Sequence, residues 1–545
     1  MKYIAAAVLA VTSFSSVSAQ SSTWCGKNFM LNQTVIPPGG QFQLPAYSNE
    51  PLVAFRCAPA FRPYLEEDAK DAAFIIDTPI VYQYIQSASL ISLPSSGSEC
   101  DDLGYEITVD ISSLPAQKMG YNVTCNATYQ AETPSSPTPQ YFSTNTSLLY
   151  LPDTKGSVVK TDLRTGALWA RPADGKGGDF QPFIPQGFYV SFDQYLAKNL
   201  SLIDQLKTDG FNTIHPIPPY DNATLFEQVL NRTVELGLYL IYDMRSDYRN
   251  LTAVTQQVQA YSSLPNLLLW ETAHEPDGNA DPFGAARSTY DLIYEMDGYH
   301  PISIVLNCEV KCCIAVLRRV QISCSKTHTL SALMRLSRLY GILNAPPTLV
   351  TAAVTTVRAA FTISRLASRA SRIGLNILGY DRTKTVWSTP QAFGSGAYWN
   401  TTPTGPQWAA MGLTSFSHGA TGSISFQYPT TTGNTTTIEG TATALTVVIA
   451  ETVQPFLVDP EVTHETFNVG GVDAGLWDNG TAYLLLVTSF GASNVYVAWA
   501  DVGLGEVTDG TTQVQQIFSV GQTTNATGLN SGPGGIGVYV AMPPE

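Results

Sequence analysis

The 545-residue sequence has little positive charge, with 29 Lys and Arg against 44 Asp and Glu and a formal net charge of −15 at pH 7. Phosphate backbones and anionic headgroups repel so acidic a chain, which argues against nucleic acid or an anionic membrane as a partner. The charge balance is neutral towards carbohydrate. We therefore expect a monomer that binds neither nucleic acid nor membrane.

The sequence also lacks long apolar runs after its first 20 residues. None reaches the ~18 residues of a membrane span, and the C-terminus has no hydrophobic tail for a lipid anchor. Lys2, the apolar run Ile4–Val11 and the small residues Val17-Ser18-Ala19 predict a signal peptide over residues 1–19. Twelve N-x-S/T sequons are typical of a secreted eukaryotic glycoprotein. We predict an extracellular protein, with cell-wall association as an open alternative.

Cysteine is scarce, and its distribution is uneven. Four of the eight cysteines, Cys25, Cys57, Cys100 and Cys125, lie in the first 130 residues. In an oxidising compartment this even number predicts two disulfides, for which three pairings are open.

Motifs for metals and cofactors are missing as well. The sequence has no HExxH, paired CxxC, EF-hand loop, GxSxG elbow, P-loop or dinucleotide fingerprint. We therefore expect neither a metal nor a cofactor.

Residues 266–278, NLLLWETAHEPDG, are the most informative stretch. Asn266 to Trp270 has the apolar character of a buried parallel strand, and a helical pattern follows from Asp281. Glu275 and Asp277 then lie at a strand exit, which is the catalytic face of a β/α barrel. Two carboxyl groups there suit acid/base work on a sugar. In the alternative interpretation, Glu275 caps the next helix and Asp277 makes a turn.

The pattern of apolar and turn-forming residues along the chain predicts three domains. Short apolar alternations punctuated by Pro, Gly and Ser indicate an N-terminal β-sandwich-like domain over 20–163, and a Gly/Pro-rich linker follows over 164–186. Alternating strands and helices over 187–460 predict a TIM-type (β/α)8 barrel. Residues 461–545 return to β texture and predict a small C-terminal β-sandwich.

Polar and aromatic residues gather at the predicted strand ends. Such groups can donate hydrogen bonds to sugar hydroxyls and offer flat rings for stacking. For each residue alone, a structural hydrogen bond at the barrel end is the competing interpretation. The predicted substrate-binding residues are Asp193, His215, Tyr220, Asp243, Arg245, Trp270, His274, Asn307, Trp387, Gln391 and Tyr428.

Residues 310–373 do not fit the pattern. The stretch from Val310 to Tyr380 has ten Lys or Arg and no Asp or Glu, although it should supply the sixth barrel strand. It is either a basic partner-binding insertion or a frame-shifted segment. Read one nucleotide earlier, residues 324–331 permit L-L-Q-D-T-Y-T-I, an apolar strand ending in an aspartate. Sequencing the transcript across codons 308–380 separates these two hypotheses.

Two blocks carry a family resemblance. The first block contains Glu275-Pro276-Asp277-Gly278, Tyr299-His300-Pro301 and Val305–Cys308, and the second is Val386–Gly394. They are similar to a family of fungal secreted, glycoside-hydrolase-like β/α barrels. The resemblance extends loosely over residues 20–545, except 310–373. The family pattern has Asp where this chain has His274.

The resemblance implies glycoside hydrolase chemistry on polysaccharide or glycoconjugate, with Glu275 as the acid. The second carboxylate is left open between Asp277, Asp243 and an aspartate hidden by the frame shift. Many retaining β/α-barrel glycosidases place a glutamate after strand seven, where this chain has Gln391. The alternative function is therefore a non-catalytic carbohydrate-binding or cell-wall protein on an inactivated barrel.

Overall fold

The computed structural model describes most of the chain. The described residues are 45–85, 88–92, 104–129, 139–276, 279, 281–282, 284–306, 324–327, 375–376, 378–394, 402–429, 435–491, 493–505 and 513–542. The predicted signal peptide, Cys25, Cys100, Asp277, Asn307 and most of 310–373 lie outside these residues.

Eight parallel strands form a closed barrel, which confirms the predicted TIM-type core. Strand eight pairs with strand one and closes the ring. The barrel strands, called strand one to strand eight below, are Gln186–Ser191, Thr213–Ile217, Tyr239–Asp243, Leu267–His274, Ile302–Leu306, Cys324–Thr327, Ser388–Thr389 and Ser423–Tyr428.

The helices alternate with these strands and bury one face against them. In the helix after strand two, Phe226, Val229 and Leu230 face the core, and the side chain of Asn222 accepts a hydrogen bond from the Leu225 N–H at the N-cap. The helices around the barrel are Ser201–Thr208, Ala223–Glu235, Leu251–Tyr261, Ala285–Met296, Gly405–Ser417 and Thr435–Val448, the last continuing through a π-helical turn at Ile449–Val453 into Gln454–Val458.

Among the described residues, one helix, Ile438–Val458, has the length and composition of a membrane span, at 21 residues. The helix is not an uninterrupted apolar run, because it contains Glu439 and Glu451. Ile438, Leu445 and Val453 on this helix are buried in the barrel core. The helix thus packs as the closing helix of the barrel.

Strand four is longer than its apolar run predicts, because it continues through four residues beyond Trp270 to His274. Its pairing shifts register twice, between Leu240 and Ile241 on strand three and between Glu271 and Ala273 within strand four. Each bulge changes which side chains face the barrel interior. The polar residues from Glu271 to His274 therefore belong to the strand.

Two antiparallel sheets precede the barrel. The first contains Tyr47–Pro59, Ala72–Asp77, Ile80–Gln83, Ser89–Ser92 and Tyr105–Val109, and the second is a hairpin of Tyr121–Tyr129 and Gln140–Leu148. Phe55 and Phe142 pack between them with ring centroids 5.7 Å apart. A disulfide joins Cys57 to Cys125 across the two layers. This is one of the bonds that the three open pairings allowed.

Residues 164–186, which we expected to form a linker, instead contribute to a sheet at the base of the barrel. Leu168–Ala170 and Gln181–Phe183 extend a four-stranded sheet with Val159–Asp162 and Phe61–Arg62. Side chains of this sheet, including Leu168 and Phe183, share a core with residues of the barrel strands. The segment is fixed because its apolar residues close the N-terminal end of the barrel. A short parallel pair, Tyr64–Leu65 with Tyr150–Leu151, lies nearby.

The described C-terminal strands form one continuous antiparallel sheet, where we expected the two sheets of a β-sandwich. They are Thr463–Val469, Val472–Asp478, Tyr483–Ser489, Val495–Ala498, Gln513–Asn525 and Gly528–Met542. Trp477, Leu484 and Val538 of the sheet share a core with Phe416. The helix Gly405–Ser417 is buried along most of its length because it lies between this sheet and the barrel.

Candidate active site

Four buried side chains form one layer inside the barrel, on strands one to four. Tyr189 of strand one is in register with His215 of strand two, and Asp243 of strand three with Glu271 of strand four. Each is at most 2% exposed. Register brings together the two side chains of each strand pair, and the hydrogen bonds described next join the two pairs inside the barrel.

Hydrogen bonds connect this layer into one network. The Tyr189 hydroxyl donates to Glu271 Oε2 at 3.0 Å, and its ring stacks on His215 with centroids 3.8 Å apart. His215 Nε2 lies 3.0 Å from Asp243 Oδ2 and 3.6 Å from Glu271 Oε2. One imidazole nitrogen thus lies between two buried carboxyl groups.

Arg245, just beyond strand three, supplies the positive charge. Its Nε donates to Asp243 Oδ2 at 2.6 Å, and its backbone N–H donates to Oδ1 at 2.8 Å. Its guanidinium lies 5.7 Å from the centre of the Tyr189 ring. Because the Asp243 side chain is sealed from solvent, Arg245 is its main counter-charge.

The environment separates the pKa values of the two carboxyl groups. Burial raises the pKa of Asp243, but Arg245 and His215 outweigh burial and hold it well below its usual range. Burial, reinforced by the charge of Asp243, raises the pKa of Glu271 to about 7. At neutral pH Asp243 is therefore ionised while Glu271 gains and loses a proton. Carboxyl groups with such divergent pKa values are typical of acid/base sites.

Glu275 lies at the C-terminal end of strand four. Its backbone N–H donates to Val305 O at 2.9 Å, and it is 4% exposed. Its φ of 55° lies in the left-handed region, which costs a residue with a Cβ roughly 1–2 kcal/mol. Such strained residues cluster at functional sites. Glu275 does not cap the following helix, whose N-cap is Gly284, so that part of the alternative is wrong, while the turn at Asp277 stays a prediction.

His274 lies between the buried layer and Glu275. Its Nδ1 is 2.9 Å from Glu271 Oε1, and its ring meets the Tyr189 ring edge-on at 5.8 Å. The side chain is 12% exposed. Burial and then the charge of Arg245 lower the pKa of His274 to about 4, so the ring is neutral at physiological pH.

Three predicted substrate-binding aromatics face outward, and this corrects their assignment. Trp270 is fully buried under the helices, and its Nε1 donates to Asp297 at 2.7 Å. Tyr220 stacks on Phe226 with centroids 4.0 Å apart. Tyr428 packs in the same outer core. Strand register turns Trp270 and Tyr428 towards the helices, and Tyr220, which lies beyond strand two, packs on the helix that follows it.

The remaining predicted residues are scattered. Trp387 is 3% exposed and fills the barrel interior, and Gln391 donates its amide to Phe393 O at 2.7 Å. Asp193 is exposed and accepts a hydrogen bond from the Ser191 hydroxyl. Of the predicted residues, the structure brings together His215, Asp243, Arg245, His274 and Glu275. Asp277 and Asn307 stay predictions.

Two members of the site, Glu271 and Tyr189, were not predicted. Glu271 directly follows Trp270, the last residue of the apolar run that predicted strand four, so its position inside the strand was missed. The available signal was a charged residue four positions before Glu275 in a run of apolar and small residues. From the sequence, we interpreted Tyr189 only as one of the apolar residues of strand one.

His215, Asp243 and Glu271 also offer three ligand atoms within 4.8 Å of one another, a spacing that can hold a metal ion. The chemistry of the donor set favours another role. Asp243 Oδ2 already accepts hydrogen bonds from Arg245 and His215, and a cation there would be repelled by the guanidinium. The three residues fit a buried ion-paired network better than a cation site.

A cavity of about 400 Å³ lies at the opposite end of the barrel and contains none of these residues. Basic side chains such as Arg56 and Arg382 line it. They pair with Asp381 and the buried Asp77. We interpret it as a polar junction between the N-terminal sheet, the barrel and the C-terminal sheet.

The fold and the network define a TIM-type barrel with an ionisable site at the C-terminal ends of its strands. No protein-family model matches the chain, and no curated protein matches it. Solved structures similar in fold include glycoside hydrolases, each at low similarity. One is described as a glycoside hydrolase (10% identity over 71% of this chain and 97% of that one, TM-score 0.42). Another is a family 5 glycoside hydrolase from Bacteroides vulgatus, with 10% identity over 71% of this chain and 94% of that one and a TM-score of 0.42. A third is Eubacterium rectale Amy13B, with 9% identity over 66% of this chain and 97% of that one and a TM-score of 0.41. Likenesses this distant do not transfer an activity.

The outward position of Trp270 predicts a stability effect without a binding effect. Trp270→Phe removes a buried hydrogen bond to Asp297 and should cost about 1–3 kcal/mol of unfolding free energy in urea denaturation. Trp408→Phe, which removes a similar bond to Ser425, is the matched control. Weaker glycan binding by the Trp270 variant alone would show that this ring contacts substrate after all.

The opposite pKa shifts of Glu271 and His274 predict opposite pH dependences of stability. Folded Glu271 holds its proton more tightly than the unfolded chain, so the free energy of unfolding falls as pH rises from about 4.5 to about 7. Folded His274 holds its proton less tightly, so the free energy rises from pH about 4 to about 6.5. The two slopes largely cancel in the wild type.

Single substitutions should therefore expose each slope. We expect urea denaturation to show stability that rises with pH in Glu271→Gln and falls with pH in His274→Asn, each by on the order of 3 kcal/mol. Profiles of the same sign in the two variants would contradict the assigned shifts.

Proposed function

We propose that this protein is a secreted glycoside hydrolase that cleaves O-glycosidic bonds in polysaccharide or glycoconjugate. The observation that carries the proposal is the placement of Glu275. It directly follows barrel strand four in a left-handed conformation, next to a buried network of paired carboxyl, imidazole and guanidinium groups. Catalytic residues of TIM barrels lie at this end of the strands. We assign Glu275 as the acid that protonates the leaving glycosidic oxygen.

The structure reduces the number of candidates for the second catalytic carboxylate. Asp243 has no exposed side-chain surface and is held by Arg245 and His215, so it cannot touch a sugar. We therefore propose Asp277, two residues beyond Glu275, as the partner carboxylate, with an aspartate hidden by the frame shift as the remaining alternative. Asp277→Asn should reduce hydrolysis to a similar degree as loss of the acid.

The cellular setting is part of the proposal. The N-terminal leader pattern and the twelve sequons support export from a eukaryotic cell, and a fungal origin rests on the family resemblance alone. The Cys57–Cys125 disulfide suits an oxidising compartment. We propose an extracellular, monomeric glycoprotein, with the cell wall as one place where its substrate occurs.

The test is a screen for new reducing ends. The purified protein would be incubated with plant and fungal cell-wall polysaccharides, with the Glu275→Gln variant in parallel. Release of reducing ends by the wild type alone supports the proposal. Equal release by both proteins would mean that Glu275 is not the acid.

One observation favours a non-catalytic carbohydrate-binding protein as the second candidate. Gln391 occupies the position after strand seven, and its amide is used in a hydrogen bond to Phe393 O. Within the described part of that loop, residues 390–394, no carboxylate is present. Glycan binding without any reducing-end release from the same panel would select this function.

A further inference from the structure

We propose that His274 contacts the substrate at the barrel mouth and that Glu271 determines which ring nitrogen of His274 carries the proton. Glu271 is then a positioning residue, because it acts through the imidazole and does not touch the sugar. The substrate contact rests on the proposed function. The coupling between the two side chains depends only on the network.

The geometry supports this division of roles. His274 Nδ1 lies 2.9 Å from Glu271 Oε1. The two nitrogens of an imidazole point in different directions, so Nε2 faces away from the carboxyl group. The His274 side chain is 12% exposed and that of Glu271 only 3%. His274 is therefore the member of the pair that a ligand beside Glu275 can reach.

The proton on the shared hydrogen bond has two arrangements. When Glu271 is ionised, Nδ1–H donates to Oε1, and the bare Nε2 is an acceptor. When Glu271 takes one proton from solvent, its O–H donates to a bare Nδ1, and the single ring proton is carried by Nε2, which becomes a donor. The ring is neutral in both states, so only the direction of its hydrogen bond changes.

The groups around the pair favour this exchange near neutral pH. On one side, the Tyr189 hydroxyl donates to Glu271 Oε2, and His215 Nε2 lies 3.6 Å from the same oxygen. The elevated pKa of Glu271, about 7, and the lowered pKa of His274, about 4, place the carboxyl group rather than the ring in the titrating role. The titratable and charged groups that face the pair are Tyr189, His215, Asp243, Arg245 and Glu275.

The consequence for the proposed reaction is a change in substrate recognition. Above the Glu271 transition, Nε2 accepts a hydrogen bond from a sugar hydroxyl, and below it Nε2 donates one to a sugar oxygen. We expect KM to change several-fold between pH 6 and pH 8 in the wild type. Glu271→Gln, whose amide does not titrate, should show a flat KM across the same range.

The direct test is nitrogen NMR of full-length protein labelled with ¹⁵N at histidine. Among the six histidines, His274 is assigned by its loss in His274→Asn. Its Nδ1 and Nε2 shifts should exchange character between pH 6 and pH 8. His300 is the internal control: both its nitrogens are engaged, by Asp297 and Ser157, so it should keep one tautomer.

Two variants separate the proposal from a general effect of pH. The tautomer change should vanish in Glu271→Gln. In Tyr189→Phe its midpoint should move to higher pH, because a hydroxyl that stabilises the ionised carboxylate is gone. If Glu271→Gln does not fold, the Tyr189→Phe midpoint decides. A His274 that keeps one tautomer from pH 5.5 to 8.5 in the wild type would overturn the proposal.

The outcomes also distinguish this inference from the proposed function. If the tautomer change is present while Glu275→Gln hydrolyses normally, the assignment of Glu275 fails and the coupling stands. If Glu275→Gln is inactive and His274 keeps one tautomer, the hydrolase stands and the coupling is overturned.

Discussion

Glu275→Gln is expected to lower kcat for glycoside hydrolysis by about 10²–10⁴-fold. Gln keeps the size and backbone preference of Glu but cannot protonate a leaving oxygen. Since φ is 55° at this position, a substitution that changed the backbone would confuse two effects, and the amide avoids that. The measurement is steady-state kinetics on a substrate found in the reducing-end screen, with urea denaturation of both proteins in parallel.

The kinetic pattern identifies the step that Glu275 serves. An acid that acts only in the transition state lowers kcat and kcat/KM together and leaves KM nearly unchanged. Glu295→Gln, which replaces an exposed carboxylate on the helix Ala285–Met296, is the matched control and should be silent. A rise in KM at constant kcat would instead make Glu275 a binding residue and strengthen the carbohydrate-binding alternative.

Periodicity predicted the barrel because each strand and helix carries its own pattern. The apolar run before Glu275 located strand four, and the polar residues at the predicted ends of strands two and three pointed to His215, Asp243 and Arg245, although His215 lies in the middle of strand two. Whether a given strand side chain points into the barrel or towards the helices could not be predicted in the same way. Strand side chains alternate with period two, so the bulges of strand four decide that Trp270 points outward and Glu271 inward. Pairing with strands three and five sets these bulges, which local sequence does not encode.

Composition also gave wrong predictions for segments whose structure is determined by tertiary contacts. Residues 164–186 have the Gly and Pro content of a linker, yet Leu168 and Phe183 close the barrel base. Similarly, the charge pattern of 310–373 argued against a sixth strand, while Cys324–Thr327 pairs with strands five and seven. Closure of the ring requires a strand at that position because open sheet edges are costly. The frame-shift hypothesis itself stays a prediction.

Arg245→Met is expected to reduce the free energy of unfolding by about 3–5 kcal/mol. Asp243 has no solvent-exposed side-chain surface, and the substitution leaves its charge with His215 as the nearest remaining partner. Met keeps much of the packing volume of the Arg stem, so the loss reports charge and not a cavity. Urea denaturation at pH 7 measures it.

The double variant tests the cause of that loss. Asp243→Asn removes the uncompensated charge, so Arg245→Met combined with Asp243→Asn should recover a large part of the stability, as expected when the penalty is a buried unpaired ion. Arg245 also lowers the pKa of His274, so the His274 titration should move to higher pH in Arg245→Met. Additive losses in the double variant, with an unmoved His274, would mean that Arg245 acts through packing alone and that Asp243 does not depend on it.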